Sequence, residues 1–185
     1  MKKNKITAYH ICAVAFAVVI NLIGGQIALL LKLPIYLDSI GTFFVGATLG
    51  PVYGMLPNLL SGIIFGMTTD IYSLYYAPVG ILLGLVTGLV YKKFHPKKWW
   101  ILLAALVITI PTTIVSSCIT AYLFGGITSS GSSLIVQLLA KTPIGLVGSC
   151  FIVQFVTDYL DRVISLYLVA LISKAMPKNL MEKFK

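Results

Sequence analysis

Long apolar segments, separated by short polar or glycine-containing stretches, dominate the chain. Four of them, at residues 11–31, 74–90, 99–124 and 144–172, each have room for a helix of roughly 20 residues, the length that crosses the hydrocarbon core of a bilayer. An amphipathic helix of a soluble protein carries polar residues on its outer face at every turn, and these segments do not. The pattern predicts an all-α integral membrane protein.

A fifth apolar segment, residues 39–68, is too long for one membrane crossing and short for two. Gly50 and Pro51 lie near its middle and are typical of a turn, although a proline can also merely kink a membrane helix. Two short spans that turn at this point bring the total to six in a single domain, residues 1–185. The predicted spans are 8–31, 39–50, 52–68, 74–91, 99–124 and 144–173.

The distribution of charge favours the same number of spans. The chain is 58% hydrophobic and only 10% charged, and most of its 14 Lys and Arg residues lie in three clusters. The positive-inside rule places all three clusters in the cytoplasm, which requires an even number of spans between them. Both termini are therefore predicted to be cytoplasmic. The clusters are Lys2, Lys3 and Lys5, then Lys92, Lys93, Lys97 and Lys98, and finally Lys174, Lys178, Lys183 and Lys185.

In this topology most of the remaining charged residues fall toward the outer side, and only Glu182 among the acids is cytoplasmic. Ordinary interfacial positions would explain any one of these charges, and tyrosines are common at interfaces. Together, however, the carboxylates and tyrosines also suit a pocket for a small polar aromatic ligand. The outer charged residues are Asp38, Asp70, Asp158, Asp161, Lys32, Lys141 and Arg162. The candidate pocket residues are Tyr36, Asp38, Asn58, Asp70, Tyr72, Tyr75, Tyr76 and Asp158.

Asp38 has two interpretations. It lies in the sequence LPIYLDSIGT, between two apolar spans, where an unpaired carboxylate inside lipid would cost a few kcal/mol. At the outer mouth of a pocket it would accept hydrogen bonds from a ligand or fix the covering loop. As the N-cap of the span that begins near Ser39 it would instead have a structural role.

The region before the last span contains a flexible small-residue loop at 125–133 and a predicted short outer helix at 134–141. Such a loop can act as a lid over a ligand site or be a plain connector. The last apolar segment, 144–173, exceeds one crossing, so its helix is expected either to protrude or to break near Asp158.

Small residues at intervals of four predict close helix contacts, because packing drives helix association in lipid. Ala13 and Ala17 form one such pair in the first span. This pair serves either internal packing or contact with a separate subunit. The other two series are Gly46, Gly50 and Gly54, and Gly80, Gly84 and Gly88.

Several chemistries are not expected. Cys12, Cys118 and Cys150 lack paired or metal-ligand spacing, and His10 and His95 have no neighbouring carboxylates. No phosphate-binding glycine-rich motif is present. Cytoplasmic anchors near anionic lipid explain the basic balance without nucleic acid. We expect no enzyme activity, no metal and no cofactor.

The chain resembles a substrate-binding S component of an energy-coupling factor (ECF) vitamin transporter over nearly its whole length. The resemblance is carried by the size and six spans, the segment LPIYLDSIGTFFVGATLGPVYG, the Ala13–Ala17 face and the closing segment 158–174, where Arg162 stands in place of a commoner lysine. It implies a multi-pass protein of the bacterial plasma membrane that captures a water-soluble vitamin from outside, with pyridoxine or pyridoxal the best match.

The resemblance also implies partners and sites. Two ATPase subunits and a transmembrane coupling subunit would drive import, and Ala13 and Ala17 would contact the coupling subunit. Tyr36, Asp38 and the segment 70–76 would be the first candidates for ligand contact. Two alternatives from other classes stay open: a membrane sensor module and a stand-alone secondary transporter.

Overall fold

The computed structural model describes residues 7–96 and 98–177, which form helices joined by short connecting segments and contain no strand. All of the first basic cluster, part of the other two and the acid Glu182 lie outside the described residues; the basic ones are Lys2, Lys3, Lys5, Lys97, Lys178, Lys183 and Lys185. The helices are α1 (Ala8–Leu30), α2 (Ile40–Leu49), α3 (Pro51–Thr68), α4 (Tyr72–Tyr75), α5 (Ala77–Phe94), α6 (Trp100–Cys118), continued by a π-helical turn (Ile119–Leu123), α7 (Ser133–Leu139) and α8 (Gly145–Ala175).

Three of these helices are long and apolar enough to cross a membrane: α1, α5 and α6 together with its π-helical turn. They make the protein membrane-embedded. α2 is different, because its 10 residues rise only about 15 Å, half the thickness of the hydrocarbon core. α8 is long, with 31 residues, but carries charged side chains in its buried face.

The helices begin and end close to the limits of the predicted apolar segments, except before α5. The single-turn helix α4 precedes α5, which begins at Ala77 and not at residue 74. α8 is continuous from Gly145 to Ala175, so of the two alternatives for the last segment the helix does not break near Asp158. The helix need not unwind there, because Arg162, one turn further on, pairs with the Asp158 carboxylate.

The turn predicted at residues 50 and 51 is confirmed. Gly50 has φ +89°, a left-handed conformation that glycine adopts without steric cost. Pro51 is the first residue of α3, where the missing amide hydrogen leaves no helical bond unmade. The two residues therefore end α2 and start α3 directly.

The close helix contact predicted for the two glycine series is confirmed at Gly54, Gly84 and Gly88, whereas Gly50 has open space around it. α3 and α5 run antiparallel, and a Cβ placed on Gly54 would lie 2.7 Å from the carbonyl oxygen of Gly84. A Cβ on Gly84 would overlap the backbone of Gly54, and a Cβ on Gly88 would overlap the backbone of Pro51. The two helices thus touch through their backbones, which only glycine permits.

Ala13 and Ala17 lie inside the protein. Ala17 is 0% exposed and Ala13 is 8% exposed. A Cβ added to Gly41 of α2 would overlap the backbone of Ala17, so α1 and α2 touch at this level. Two roles were considered for the alanine pair, internal packing and contact with a separate subunit. In this conformation the pair packs internally, and almost none of the surface of the two alanines is open to a partner.

The connections fall at two opposite ends of the bundle. At one end His10 stacks on Tyr53 with ring centroids 5.0 Å apart, and the hydroxyl of Tyr167 donates to the carbonyl oxygen of Lys98. At the other end meet the segments 31–39, 69–76 and 125–132. We call the latter the loop end.

Candidate ligand-binding site

A cavity lies inside the bundle toward the loop end. Residues of α1, α3, α5, α6 and α8 border it, together with the three segments that meet there. Its volume, taken as the space open to the centres of water molecules, is about 130 Å³. One ordered water needs roughly a tenth of this space, so the cavity has room for a small organic molecule.

The segment 31–39 turns back into the bundle after α1. Asp38 packs beside Gly25 of α1, where a Cβ on the glycine would lie 3.3 Å from the Asp38 Cβ. Asp38 therefore lies about 8 Å below the end of α1 at Leu30, counted along the helix axis. This is deeper than the outer mouth at which the sequence placed it.

Leu37 fixes this segment to the opposite side of the bundle. Its amide donates to Oδ1 of Asp161 in α8 at 2.9 Å, and a Cβ on Gly24 of α1 would overlap its carbonyl oxygen. Leu37 also has φ +53°, a sparsely populated conformation that persists only where the surroundings impose it. Its two neighbours, Tyr36 and Asp38, both line the cavity.

A chain of polar side chains connects Asp38 with the middle of the bundle. Ser39 Oγ donates to the Asp38 carboxylate at 2.8 Å, and Asn58 Nδ2 donates to Ser39 Oγ at 3.4 Å. Asn21 Nδ2 donates in turn to Asn58 Oδ1, while Asn21 Oδ1 accepts from the amide of Gly41 at 2.8 Å. The floor of the cavity is thus a network of hydrogen bonds among α1, α2 and α3.

The capping interpretation of Asp38 does not fit this network. Ser39 is the N-cap residue of α2, and no side chain caps the helix. The Asp38 carboxylate accepts from the Ser39 hydroxyl and not from the first amides of α2. Its remaining acceptor positions are available to the cavity.

One face of α8 supplies the most polar wall. Gln154, Asp158, Asp161 and Arg162 follow each other at helical spacing and all border the cavity. Asp158 Oδ1 lies 3.3 Å from Arg162 Nη1, and its Oδ2 accepts from the Thr113 hydroxyl at 2.7 Å. A buried pair of this kind is strongly destabilising to break, by about 3–5 kcal/mol, because the remaining charge is left uncompensated.

The end of α6 and the π-helical turn that follows it hold residues of the cavity in place: Ser116 borders the cavity, and Thr120 contacts Gln154 and Tyr76, which also border it. The Thr120 hydroxyl donates to the carbonyl oxygen of Ser116, so it must accept from Gln154 Nε2 and from the Tyr76 hydroxyl. Gln154 Oε1 accepts in turn from Ser117 at 2.8 Å. The Tyr76 hydroxyl thus donates its hydrogen to Thr120, and Tyr76 borders the cavity.

Side chains of the loop end cover the cavity. The Ser129 hydroxyl donates to Oδ2 of Asp70 at 2.8 Å, which joins the segment after the π-helical turn to the segment before α5. Gly131 packs so closely against the carbonyl of Lys32 that a side chain would not fit. The three connecting segments therefore form one continuous cover.

Seven of the eight predicted pocket residues border this single cavity. Tyr75 does not: its ring packs edge-on against Phe124, with centroids 5.3 Å apart, and about half of the residue is exposed. The bordering residues are Tyr36, Asp38, Asn58, Asp70, Tyr72, Tyr76 and Asp158. The structure shows that these seven residues surround one cavity. That they bind a ligand stays a prediction.

The sequence missed several other residues of the cavity. Asp161 and Arg162 were treated only as outer charges, and Gln154 was not singled out. Their spacing with Asp158 along one helical face was the signal that could have found them. Asn21, Ser39, Ser116 and the serines of the covering loop have no comparable signal, since only tertiary contact brings them to the site.

Metal binding has no geometric support among residues 7–96 and 98–177. No group of three or more His, Cys, Asp or Glu side chains is arranged to hold a metal ion there. The three cysteines are unpaired, with Cys12 and Cys118 exposed and Cys150 buried. The residues that border the cavity offer hydrogen-bonding groups, charge and aromatic surface.

No protein-family model matches the chain, and searches of curated proteins and of solved structures return no match.

Proposed function

We propose that the chain is the membrane-embedded substrate-binding subunit of an ECF-type ABC transporter. It captures a small water-soluble vitamin from outside the cell, with pyridoxine or pyridoxal the first candidate, for ATP-driven import by partner subunits. The observation that carries the proposal is the cavity of about 130 Å³, which is lined by polar and aromatic side chains and covered at the loop end.

The cavity suits capture of a ligand better than a continuous pathway. Asp70 and Ser129 are joined above it, and the Asn21–Asn58–Ser39 network closes it below. A site that is covered on one side and closed on the other holds a ligand but does not release it across the membrane. Partner subunits that consume ATP would supply that second step.

The topology of the proposal has six spans, with the loop end outside and Lys92 to Lys98 in the cytoplasm. α2 is too short to cross alone, so the entrant segment 31–39 completes its passage from the loop end. A membrane-impermeant thiol reagent on intact cells should label Thr142→Cys and spare Lys93→Cys in a cysteine-free background. Labelling of Lys93→Cys from outside would contradict the six-span arrangement.

The proposed partners are a transmembrane coupling subunit, two ATPase subunits and the surrounding lipid. Contact of the coupling subunit with Ala13 and Ala17 would need a conformation in which α2 moves away from α1. Ala13→Leu separates the two roles: a coupling contact predicts lost uptake with intact ligand binding. Loss of both uptake and ligand binding in Ala13→Leu would assign the alanines to internal packing.

The proposal is tested by uptake of labelled pyridoxine in cells that make the chain with or without an ECF energising module. We expect uptake only with the module, and binding by the purified chain alone. Uptake that needs no partner would contradict the assignment. Calorimetric titration with pyridoxal, riboflavin and thiamine would identify the vitamin class.

One observation favours a second candidate, a stand-alone proton-coupled transporter. Ionisable side chains inside membrane helices often mark proton pathways, and Asp158, Asp161 and Arg162 of α8 are all buried. Proteoliposomes that contain only this chain would then accumulate substrate when a pH gradient is imposed. The ECF proposal predicts no accumulation under these conditions.

A further inference from the structure

We propose that the ligand carries a positively charged nitrogen, which binds between Asp38 and Asp161 in the deep part of the cavity. This inference rests on the proposed function, since it concerns the ligand of the same cavity. It goes beyond that function by assigning a chemical class, a small aromatic cation such as a protonated amine or an amidinium.

The charges that border the cavity do not balance. Asp38, Asp158 and Asp161 lie together, whereas Arg162 is the single cationic side chain among the described residues of the lining. The Arg162 guanidinium is directed at Asp158, with Nη1 3.3 Å from Oδ1 and 2.9 Å from the backbone carbonyl oxygen. Its Nη2 donates to the Thr112 hydroxyl. Arg162 is thus paired with Asp158, and no cationic side chain of the described residues lies within 4 Å of the Asp38 or Asp161 carboxylate.

Asp38 and Asp161 accept hydrogen bonds from neutral groups, while the nearby Arg162 guanidinium is directed at Asp158. The side chain of Asp161 accepts the amide of Leu37, and that of Asp38 accepts the Ser39 hydroxyl, both of which are neutral donors. An ionised carboxylate offers about four acceptor positions. Leu37 directly precedes Asp38 in the chain, so its bond to Asp161 holds the two carboxylates on neighbouring parts of the wall.

A second, independent feature points to a ligand at the same place. The Nε hydrogen of Arg162, a residue only 5% exposed, has no acceptor among the described residues. Buried donors of this kind are rare, because leaving one unpaired costs about 1–3 kcal/mol or more. A ligand that presents an acceptor atom beside its charged nitrogen would satisfy both Arg162 and the carboxylates.

The other walls fit the aromatic part of such a ligand. Tyr36, Phe65, Tyr72 and Tyr76 border the cavity and offer rings. Aromatic faces attract cations as well as flat ring systems. Since the described residues hold no arrangement for a metal ion, an organic cation is the occupant that matches both the charge and the rings.

The test compares matched cationic and neutral probes on the purified full-length chain. Pyridoxamine and pyridoxine differ by an aminomethyl in place of a hydroxymethyl group, and benzamidine and benzamide differ by an amidinium in place of an amide. By calorimetric titration we expect the cation of at least one pair to bind about tenfold or more tightly than its neutral partner. This comparison needs no variant.

Single-residue variants then show which carboxylates cause the tighter binding of the cationic probe. Asp38→Asn and Asp161→Asn keep the shape and the acceptor oxygen, so each should lower affinity for the cation by about tenfold and change that for the neutral probe little. Lys141→Gln, an exposed charge change outside the cavity lining, should leave both affinities within about twofold.

The outcomes separate this inference from the proposed function. Equal or tighter binding of the neutral probes, an unchanged preference in both Asn variants, or no binding of any cationic probe would overturn the inference. If a neutral or anionic vitamin binds in the same assay, the proposed function stands without it. If no small molecule binds, both are overturned.

Discussion

Two helix pairs of the bundle are held together in opposite ways. α3 and α5 meet through glycines, and their backbones touch at Gly54 and Gly84. α6 and α8 meet through side chains: Thr113 binds Asp158, and Ser117 binds Gln154. The first contact depends on the absence of side chains, and the second depends on the hydrogen bonds that side chains make.

This difference separates scaffold from site. Both pairs border the cavity, but the α3–α5 contact leaves no room for adjustment, because any added atom would meet backbone. The α6–α8 contact contains hydroxyls, an amide and an ion pair, which can exchange partners when a ligand enters. We therefore expect substitutions in the first pair to affect folding and substitutions in the second to affect both stability and binding.

The largest effect is expected for Gly84→Leu. Its side chain would overlap the backbone of α3, which cannot move without separating the two helices. We expect little or no monodisperse protein in size-exclusion chromatography. Ala170→Leu is the matched control, because it adds the same side chain at an exposed position of α8, and it should purify like the unmodified chain.

Arg162→Met should be the next most damaging change. It leaves the buried Asp158 carboxylate without its cation, at an expected cost of about 3–5 kcal/mol. Thermal unfolding in detergent should register a clearly lower Tm. The double variant Asp158→Leu with Arg162→Met removes both charges and should recover most of that loss. A double variant less stable than the single one would contradict the pairing.

Gln154→Leu tests the uncharged hydrogen bonds between α8 and the end of α6. The Ser117 hydroxyl loses its acceptor inside the bundle, and the Thr120 hydroxyl loses one of its two donors, at an expected cost of about 1–3 kcal/mol. Tm should fall by less than for Arg162→Met. An unchanged Tm would mean that the α6–α8 contact does not depend on this amide.

The smallest effect is expected at the cover of the cavity. Ser129→Ala removes one hydrogen bond to Asp70, which contributes about 0.5–1.5 kcal/mol, or somewhat more for an ionised acceptor. Hydrogen exchange of the amides in segment 125–132 should become faster while Tm stays nearly constant. Exchange that is unchanged would show that other contacts hold the loop.

Local patterns predicted much of the scaffold. Apolar runs set the helices, and Gly50 with Pro51 set the turn, because their backbone preferences act on neighbouring residues. The entrant path of segment 31–39 was not predictable in this way. It depends on the bond between Leu37 and Asp161, residues 124 positions apart in the chain.

For the site, too, local sequence predicted some features, and others depend on tertiary contact. Tyrosines and carboxylates near the ends of apolar runs were found from sequence, since polar residues are conspicuous there. The depth of Asp38 and the position of Tyr75 outside the cavity follow from packing. The π-helical turn that presents Thr120 has no sequence signature in the run from Trp100 to Phe124.

Native mass spectrometry tests most directly whether this cavity holds a small ligand. The purified chain would be measured after incubation with pyridoxine, pyridoxal, thiamine and riboflavin, alongside Ser61→Phe and its control Ser61→Ala. Ser61 is buried and borders the cavity, so phenylalanine would fill it and alanine would not. The account predicts a one-to-one adduct with a vitamin for the unmodified chain and Ser61→Ala, and its loss in Ser61→Phe. No adduct with any vitamin, or an adduct that persists in Ser61→Phe, would contradict it.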